Sequence, residues 1–296
     1  MRTVQWERMF PDELEAAFQA SPIVYFPYGL CEPHGPHNAL GLDTLKAHAV
    51  CCRAAARFGG IVAPPDYWHI HENSGYAVWA EQNIGEVRPW LTAVPPWIHF
   101  KNVCYHVRAA DALGFRGALF VTGHYGPNWQ DLKTLLAILQ PHFAMRLYGL
   151  PDFEANMPGF SEAGERGDHA GKVETSLLWA LEPDCVDVSR LPAPGAPGPH
   201  FAMGPSAHQA ERRVGERMAS DEAAYLGVKA RELLDDYARH APQERAPVSF
   251  TQVERIWSEE VEPILSQFLS MQPLFEGQTM PPSENSRWRL NWQTLG

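Results

Sequence analysis

Short apolar runs, each followed by a polar loop and then by an amphipathic segment, recur along the chain. Residues 22–27 form an apolar run with β-branched and aromatic side chains, which predicts a buried strand. Residues 44–58 show a helical pattern that stops at two glycines, and residues 61–63 are predicted as a second short strand. The apolar run 118–121 is typical of a strand covered on both faces. This strand–helix–strand order predicts an α/β fold with a parallel sheet and right-handed crossovers.

The remaining segments extend the same plan. Residues 66–94 are predicted to be less regular than the rest, and the proline-rich stretch 185–205 is predicted to be a loop. A further strand is predicted at 145–149, and further helices at 11–19, 103–113, 129–139, 177–181, up to about 240, and 253–271.

Composition and charge narrow the class of protein. A chain of 296 residues can bury a substantial core. The net charge of −11, with no basic cluster, argues against nucleic acid as a partner. The sequence contains neither a membrane-length apolar run nor an apolar leader at its start, so we expect a cytoplasmic protein with no membrane contact. None of the five cysteines forms a C-x-x-C pair, which indicates reduced thiols.

The loop after the first predicted strand concentrates candidate chemistry. It contains Glu32, His34, His37 and Asp43 among glycines and prolines. In an extended segment the E-x-H spacing points Glu32 and His34 to the same side, and a carboxylate beside an imidazole suits zinc, manganese or iron. A polar loop with Asp43 as a helix cap explains the same residues equally well at this point. A Cys31 nucleophile beside His34 is a less favoured alternative.

The letters E-P-H-G-P-H, followed by G-L-D, resemble the signature of the creatininase (creatinine amidohydrolase) family. The resemblance implies a three-layer α/β/α fold with a mostly parallel central sheet. It also implies that Glu32 and Asp43 bind one divalent metal ion, and that His34 and the same Asp43 bind a second. The residue that matches the family's second histidine is His37, whose role is less direct.

A second signature surrounds the strand at 118–121. The letters G-F-R before it and G-H after it match the family, which implies that His124 completes the shell of the first metal. Creatininase has a glutamate two residues after this histidine, where this chain has Gly126. Glu174, water or the substrate can replace that ligand, or a single metal site is filled.

A third signature is carried by D-H-A-G-K-V-E-T-S, residues 168–176. The resemblance implies His169 as the general acid/base, with Asp168 beside it and Glu174 as a metal ligand or a neighbour of one. Histidine suits proton transfer because its pKa lies near neutrality. Glu174 also fits a cap at the start of the following helix, and both roles are compatible.

The middle of the chain departs from the family pattern. The family carries a Glu-His pair and then a Phe-Pro-Gly-Thr run, whereas this chain has His71-Glu72 and no such run. His69 and His71 form an H-x-H pair, which we interpret as part of a polar, aromatic loop at a pocket mouth rather than as ligands. Between Tyr148 and His169 there is no tryptophan of the kind that closes over creatinine in creatininase, only Phe153 and Phe160, so creatinine is not favoured as the substrate.

Together these residues predict a metal-dependent amidohydrolase with one or two zinc, manganese or iron ions per chain. It would hydrolyse a non-peptide C–N bond of a small amide, with cyclic amides favoured. A non-catalytic metal-binding scaffold is the main alternative, and a lactone or phosphoester hydrolase is a weaker one. We expect residues 1–245 to form the hydrolase domain and 246–296 to pack on it or on a neighbouring subunit. The resemblance also implies a homo-oligomer, with a hexamer as the family precedent.

Overall fold

The computed structural model of the protein describes residues 3–156, 168–240 and 246–292. Its strands are β1 (Ile23–Tyr28), β2 (Ile61–Val62), β3 (His69–Ile70), β4 (Ala93–Val94), β5 (Gly117–Thr122) and β6 (Arg146–Pro151). Four of them form a parallel sheet in the order β2-β1-β5-β6, and β3 and β4 form a separate parallel pair. The strands of the larger sheet overlap the four runs that the sequence predicts.

Eight α-helices lie within these described ranges. They are α1 (Pro11–Ala20), α2 (Leu42–Phe58), α3 (Ser74–Asn83), α4 (Pro96–Leu113), α5 (Asn128–Leu139), α6 (Lys172–Leu181), α7 (Arg212–His240) and α8 (Phe250–Ile256). Among the described helices, none combines the length and apolar character needed to cross a membrane.

The sheet is buried on both faces because successive strand residues point to opposite sides. On β1, Val24 and Phe26 pack with residues of α4, α5 and α8. Ile23 and Tyr25 point the other way and pack with residues of α2 and α7. β5 alternates in the same manner. The predicted three-layer α/β/α arrangement is therefore confirmed.

Three helical predictions differ from the structure. Residues 66–94 are not wholly irregular, because α3 lies within them; six of its ten residues are buried, so it lacks a clear polar face. Helix α4 begins at Pro96 rather than at 103, since proline is well accommodated at the first helical position. The helix predicted at 253–271 ends at Ile256 and continues as single π and 3-10 turns, and Pro263 cannot donate an α-helical hydrogen bond.

The C-terminal segment belongs to the same core. Val253, Trp257 and Leu265 are buried in the layer formed by α4 and α5. Trp288 is buried against α3, and its indole N–H donates to the carbonyl oxygen of Gly85. The boundary predicted at residue 245 falls in 241–245, outside the described residues.

The strand register sets the position of the loops. Tyr28 pairs with Thr122, and Thr122 pairs with Pro151, so β1, β5 and β6 end at one level. The segments that follow these strands therefore meet at one edge of the sheet, the usual location of a binding site in a parallel α/β fold.

Candidate metal centre

The five predicted metal ligands meet at this edge of the sheet. Glu32 and His34 lie in the loop after β1, Asp43 lies in the first turn of α2, and His124 follows β5. Glu174 lies in the first turn of α6. All five residues are buried, with relative exposures of 0–3%. Residues that lie more than 100 positions apart in the sequence therefore share one enclosed volume.

Two glycines shape the loop after β5. A Cβ atom at Gly123 would lie 2.0 Å from the backbone oxygen of Asp43, so the loop approaches α2 closely only because this residue has no side chain. Gly126 has a φ of 99°, and a Cβ atom there would lie 2.6 Å from the hydroxyl of Tyr76. The position at which creatininase carries a glutamate is therefore closed to a side chain in this conformation.

Glu32, Asp43 and His124 form the first half of the centre. The Nδ1 atom of His124 lies 2.9 Å from Oε1 of Glu32 and 3.2 Å from Oδ2 of Asp43. One candidate ligand atom from each of the three residues falls within a 4.8 Å group. This set of two carboxylates and one imidazole suits zinc, manganese or iron.

His34, Asp43 and Glu174 form the second half. The Nε2 atom of His34 lies 3.1 Å from Oδ1 of Asp43 and 3.7 Å from Oε2 of Glu174. These three residues also offer ligand atoms within 4.8 Å of one another. Asp43 faces a different histidine with each of its two oxygens, which is the geometry required of a residue shared by two cations.

The polarity of these atoms fits a cation. The Nδ1–H of His34 donates to the backbone carbonyl of Glu32 at 3.1 Å, which leaves the lone pair on Nε2. That atom and both carboxylate oxygens of Asp43 are buried and make no hydrogen bond. Electron-rich atoms that face one another in a buried volume are unfavourable unless a positive charge lies between them. The residues present therefore fit divalent metal ions.

The electrostatic field of the centre is strongly negative. Burial lowers the pKa of His34, but the carboxylates of Asp43, Glu32 and Glu174 outweigh burial and raise that pKa to about 9. For His124, burial is likewise outweighed by Glu32 and Asp43, and the pKa rises to about 10. Without a metal ion, protons on these histidines balance the carboxylates, and a bound cation would displace them.

His71 lies closer to the centre than the sequence analysis suggests. Its Nδ1 accepts the backbone N–H of Glu72 at 2.9 Å, so Nε2 carries the proton, and Nε2 lies 3.2 Å from Oε2 of Glu32. His71 therefore lies next to the oxygen of Glu32 that does not face His124. His69 packs against His99, with ring centroids 3.8 Å apart and planes tilted by 35°, and it meets the ring of His124 edge-on at 5.2 Å between centroids. The H-x-H spacing marks both residues, but only the fold separates their roles.

His169 lies beside the second half of the centre. Its ring stacks on His34 with centroids 4.4 Å apart, and the indole of Trp79 meets its edge at 4.8 Å. The Nε2–H of His169 donates to the backbone carbonyl of Pro33 at 2.8 Å, which leaves Nδ1 as a proton acceptor. Burial and then His34 lower the pKa of His169 below its usual value, so the ring is neutral at pH 7.

The other predicted residues hold the surrounding loops. Asp168 accepts the backbone N–H of Val173 at the start of α6, which is a capping contact, and its catalytic role stays a prediction. The Nε2 atom of His37 lies 3.0 Å from the hydroxyl of Thr175, away from the candidate ligand atoms. Phe153 packs edge-on against Tyr125, whereas Phe160 lies outside the described residues.

A buried cluster of histidines and carboxylates at the strand ends of an α/β fold is typical of hydrolases that activate water with a metal ion. The family model of creatininase, described as creatinine amidohydrolase, matches residues 7–241. The chain therefore belongs to the creatininase family, whose members are amidohydrolases acting on C–N bonds other than peptide bonds. The family resemblance drawn from the three signatures is confirmed.

The individual relatives share less than a third of their aligned residues with this chain. The chain is 27% identical to the creatinine amidohydrolase of Pseudomonas putida over 196 residues, which cover 60% of this chain and 72% of that protein. It is 30% identical to the mycofactocin precursor peptide peptidase of Mycolicibacterium smegmatis over 179 residues, covering 57% of this chain and 62%, less than two thirds, of that relative. A solved structure described as "Creatininase Mn" superposes with a TM-score of 0.59 at 25% identity, covering 78% of this chain and 98% of that one.

Proposed function

We propose that the protein is a metal-dependent amidohydrolase that binds two divalent cations and hydrolyses a small cyclic amide. The observation that carries the proposal is the placement of Asp43. Its two carboxylate oxygens accept no hydrogen bond, and they lie 3.1 Å from His34 Nε2 and 3.2 Å from His124 Nδ1. Glu32 completes the first half and Glu174 the second. The likeness to a structure described with manganese supports divalent ions as a class.

The bound ions would acidify a water molecule and polarise the substrate carbonyl. His169 has the position and protonation state of the proton carrier, because its Nδ1 holds a free lone pair beside His34. It takes a proton as the new C–O bond forms and returns it to the nitrogen as the C–N bond breaks. Trp79 and His34 hold the imidazole between them, so its orientation is fixed before the substrate binds.

The substrate class follows from the family and from the enclosure of the site. A creatinine amidohydrolase is among the relatives, and its substrate is a small molecule. The candidate ligands have no more than 3% of their surface exposed, and such an enclosed site suits a compact substrate better than a folded polypeptide. Five- and six-membered cyclic amides, including creatinine as a reference compound, are therefore the first compounds to test.

His169→Ala tests catalysis separately from metal binding. We expect this variant to keep the metal content of the wild type and to lose about 10²- to 10⁴-fold in kcat, the usual contribution of a positioned acid/base. His208→Ala is the control, because His208 is an exposed histidine. If both variants turn over the same cyclic amide at the wild-type rate, His169 is not the proton carrier. If the metal-loaded wild type hydrolyses none of the amides, the scaffold alternative is the better account.

A further inference from the structure

Lys46 is a fully buried lysine beside the second half of the centre. It lies on α2, three residues after Asp43, so both side chains leave the same face of the helix. Its Nζ atom lies 2.8 Å from Oε1 of Glu174 and 3.3 Å from Oδ2 of Asp152. It also lies 3.5 Å from the ring centre of Tyr125. A lysine is almost never fully buried unless it is paired in this way.

We propose that Lys46 is a positioning residue, which holds Glu174 in the orientation needed to bind the second cation. The inference rests on the proposed function. Lys46 takes Oε1 of Glu174, while Oε2 accepts the backbone N–H of Ala170 at 2.8 Å. Only Oε2 then faces His34, at 3.7 Å. The two fixed contacts decide which carboxylate oxygen reaches the centre, and they favour binding through that one oxygen.

The loop after β5 explains why Glu174 needs such support. Gly126 contributes no carboxylate, and its surroundings leave no space for one. Of the described residues grouped around His34 and Asp43, Glu174 is the carboxylate that completes the second half. It reaches the centre from a different helix, α6, whose placement on α2 must therefore be defined. The Lys46–Glu174 contact joins these two helices at the ligand itself.

The position of Lys46 between two buried carboxylates supports the same role. The carboxylates of Glu32, Asp43 and Glu174 lie in one buried volume, with Asp152 adjoining it. Lys46 separates Glu174 from Asp152, because its ammonium group contacts both. Without it, two buried carboxylates would share this volume with no intervening cation.

The geometry distinguishes positioning from catalysis. The ammonium group is occupied by two carboxylates and an aromatic face, so it has no direction left for substrate. Any effect of Lys46 on the reaction must therefore pass through the groups it contacts, of which Glu174 is the candidate ligand. A change at Lys46 should weaken the second cation and leave the first half of the centre, at Glu32 and His124, unaffected.

Lys46→Met is the direct test, because it keeps the unbranched side chain up to the position of Cε and removes the charged group. The full chain, freed of metal, is titrated with Mn²⁺ by isothermal titration calorimetry, and the loaded protein is measured by electron paramagnetic resonance. We expect one of two Mn²⁺ binding events to weaken by about 10- to 100-fold, the usual cost of losing a residue that orients a ligand. The other event should change by no more than about threefold, and the spectrum of the coupled Mn²⁺ pair should give way to that of single ions.

Two further variants keep the test decisive. Val50→Ala removes a buried side chain from the same helix, away from the centre, so it controls for general loosening of α2. Lys46→Gln retains an N–H donor without the charge; it should weaken the same event, and it replaces Lys46→Met if that variant does not fold. In a Glu174→Gln background, Lys46→Met should cause no further loss, because residues that act through one another are not additive.

Unchanged Mn²⁺ binding in Lys46→Met and Lys46→Gln, with two ions bound in the wild type, overturns the role of Lys46 and leaves the proposed function standing. Equal weakening of both events, matched by Val50→Ala, shows a structural role only and also overturns it. A wild-type chain that binds no Mn²⁺ contradicts the proposed function itself.

Discussion

Protonation of a buried histidine outside the centre gives a prediction with a calculable size. His99 is 3% exposed and packs against His69 and Tyr28. Burial is the main cause that lowers its pKa to about 3, and His106 and His124 lower it further. The unfolded chain has an ordinary histidine pKa of about 6.5, so it binds the proton more strongly than the folded protein does. The stabilisation is complete above pH 6.5 and is lost as the pH falls towards 3.

The magnitude follows from these two pKa values. Between pH 7 and pH 5, a group whose pKa shifts from about 6.5 to about 3 removes roughly 2 kcal/mol from the free energy of unfolding. In His99→Gln the side chain cannot titrate, but its amide can still donate to a backbone carbonyl. Its absolute stability will be lower at pH 7. We expect its loss of stability between pH 7 and pH 5 to be smaller than that of the wild type by about 2 kcal/mol.

Urea unfolding of the metal-free protein at several pH values between 7 and 5 measures this difference. His99 also lowers the pKa of the adjacent His69, so the comparison reports the titration of this pair, whereas more distant groups contribute equally to both proteins. Gln209→Ala is the control, since Gln209 is exposed and its replacement removes no titratable group. Equal slopes for the wild type and His99→Gln would refute the reasoning, because they would mean that His99 does not resist protonation in the folded state.

Two more predictions concern stability near the centre. Gly126→Ala should lower the free energy of unfolding by about 2 kcal/mol. An alanine is strained at a φ of 99°, and its Cβ would lie 2.6 Å from the Tyr76 hydroxyl. A melting temperature equal to that of the wild type would contradict this prediction. Trp288→Ala should cost about 3–5 kcal/mol, since the side chain is 1% exposed, whereas Leu290→Ala, at 84% exposed, should stay within about 0.5 kcal/mol. Equal melting temperatures for these two variants would show that the C-terminal segment does not stabilise the fold.

The sequence predicts most of the scaffold because its signals are local. Apolar runs mark the strands, and glycines mark the ends of helices, independently of distant contacts. The amphipathic pattern that marks a helix is lost where a helix is covered on several faces. This is the case for α3, which packs against Trp288 from the C-terminal segment. The sequence signal also fails after Ile256, where an apolar pattern continues but Pro263 interrupts the hydrogen bonding.

The candidate site shows the same division. The family signature implies Glu32, His34 and Asp43 as candidate ligands, and it can do so because one loop and the start of one helix hold all three. The neighbours of the candidate ligands, His71 beside Glu32 and Lys46 beside Glu174, come from contacts that only the fold creates. The sequence offers one weak signal for Lys46. It places a lysine, three residues after Asp43, on the face of α2 that is otherwise mostly apolar and buried.

The metal content of the wild type and of Asp43→Ala, each purified without chelator and measured by elemental analysis, tests the central claim most directly. The account predicts about two divalent ions per wild-type chain and their loss in Asp43→Ala, because each half of the centre uses one oxygen of this residue. A wild type that carries no metal, or an Asp43→Ala variant that retains both ions, would contradict it.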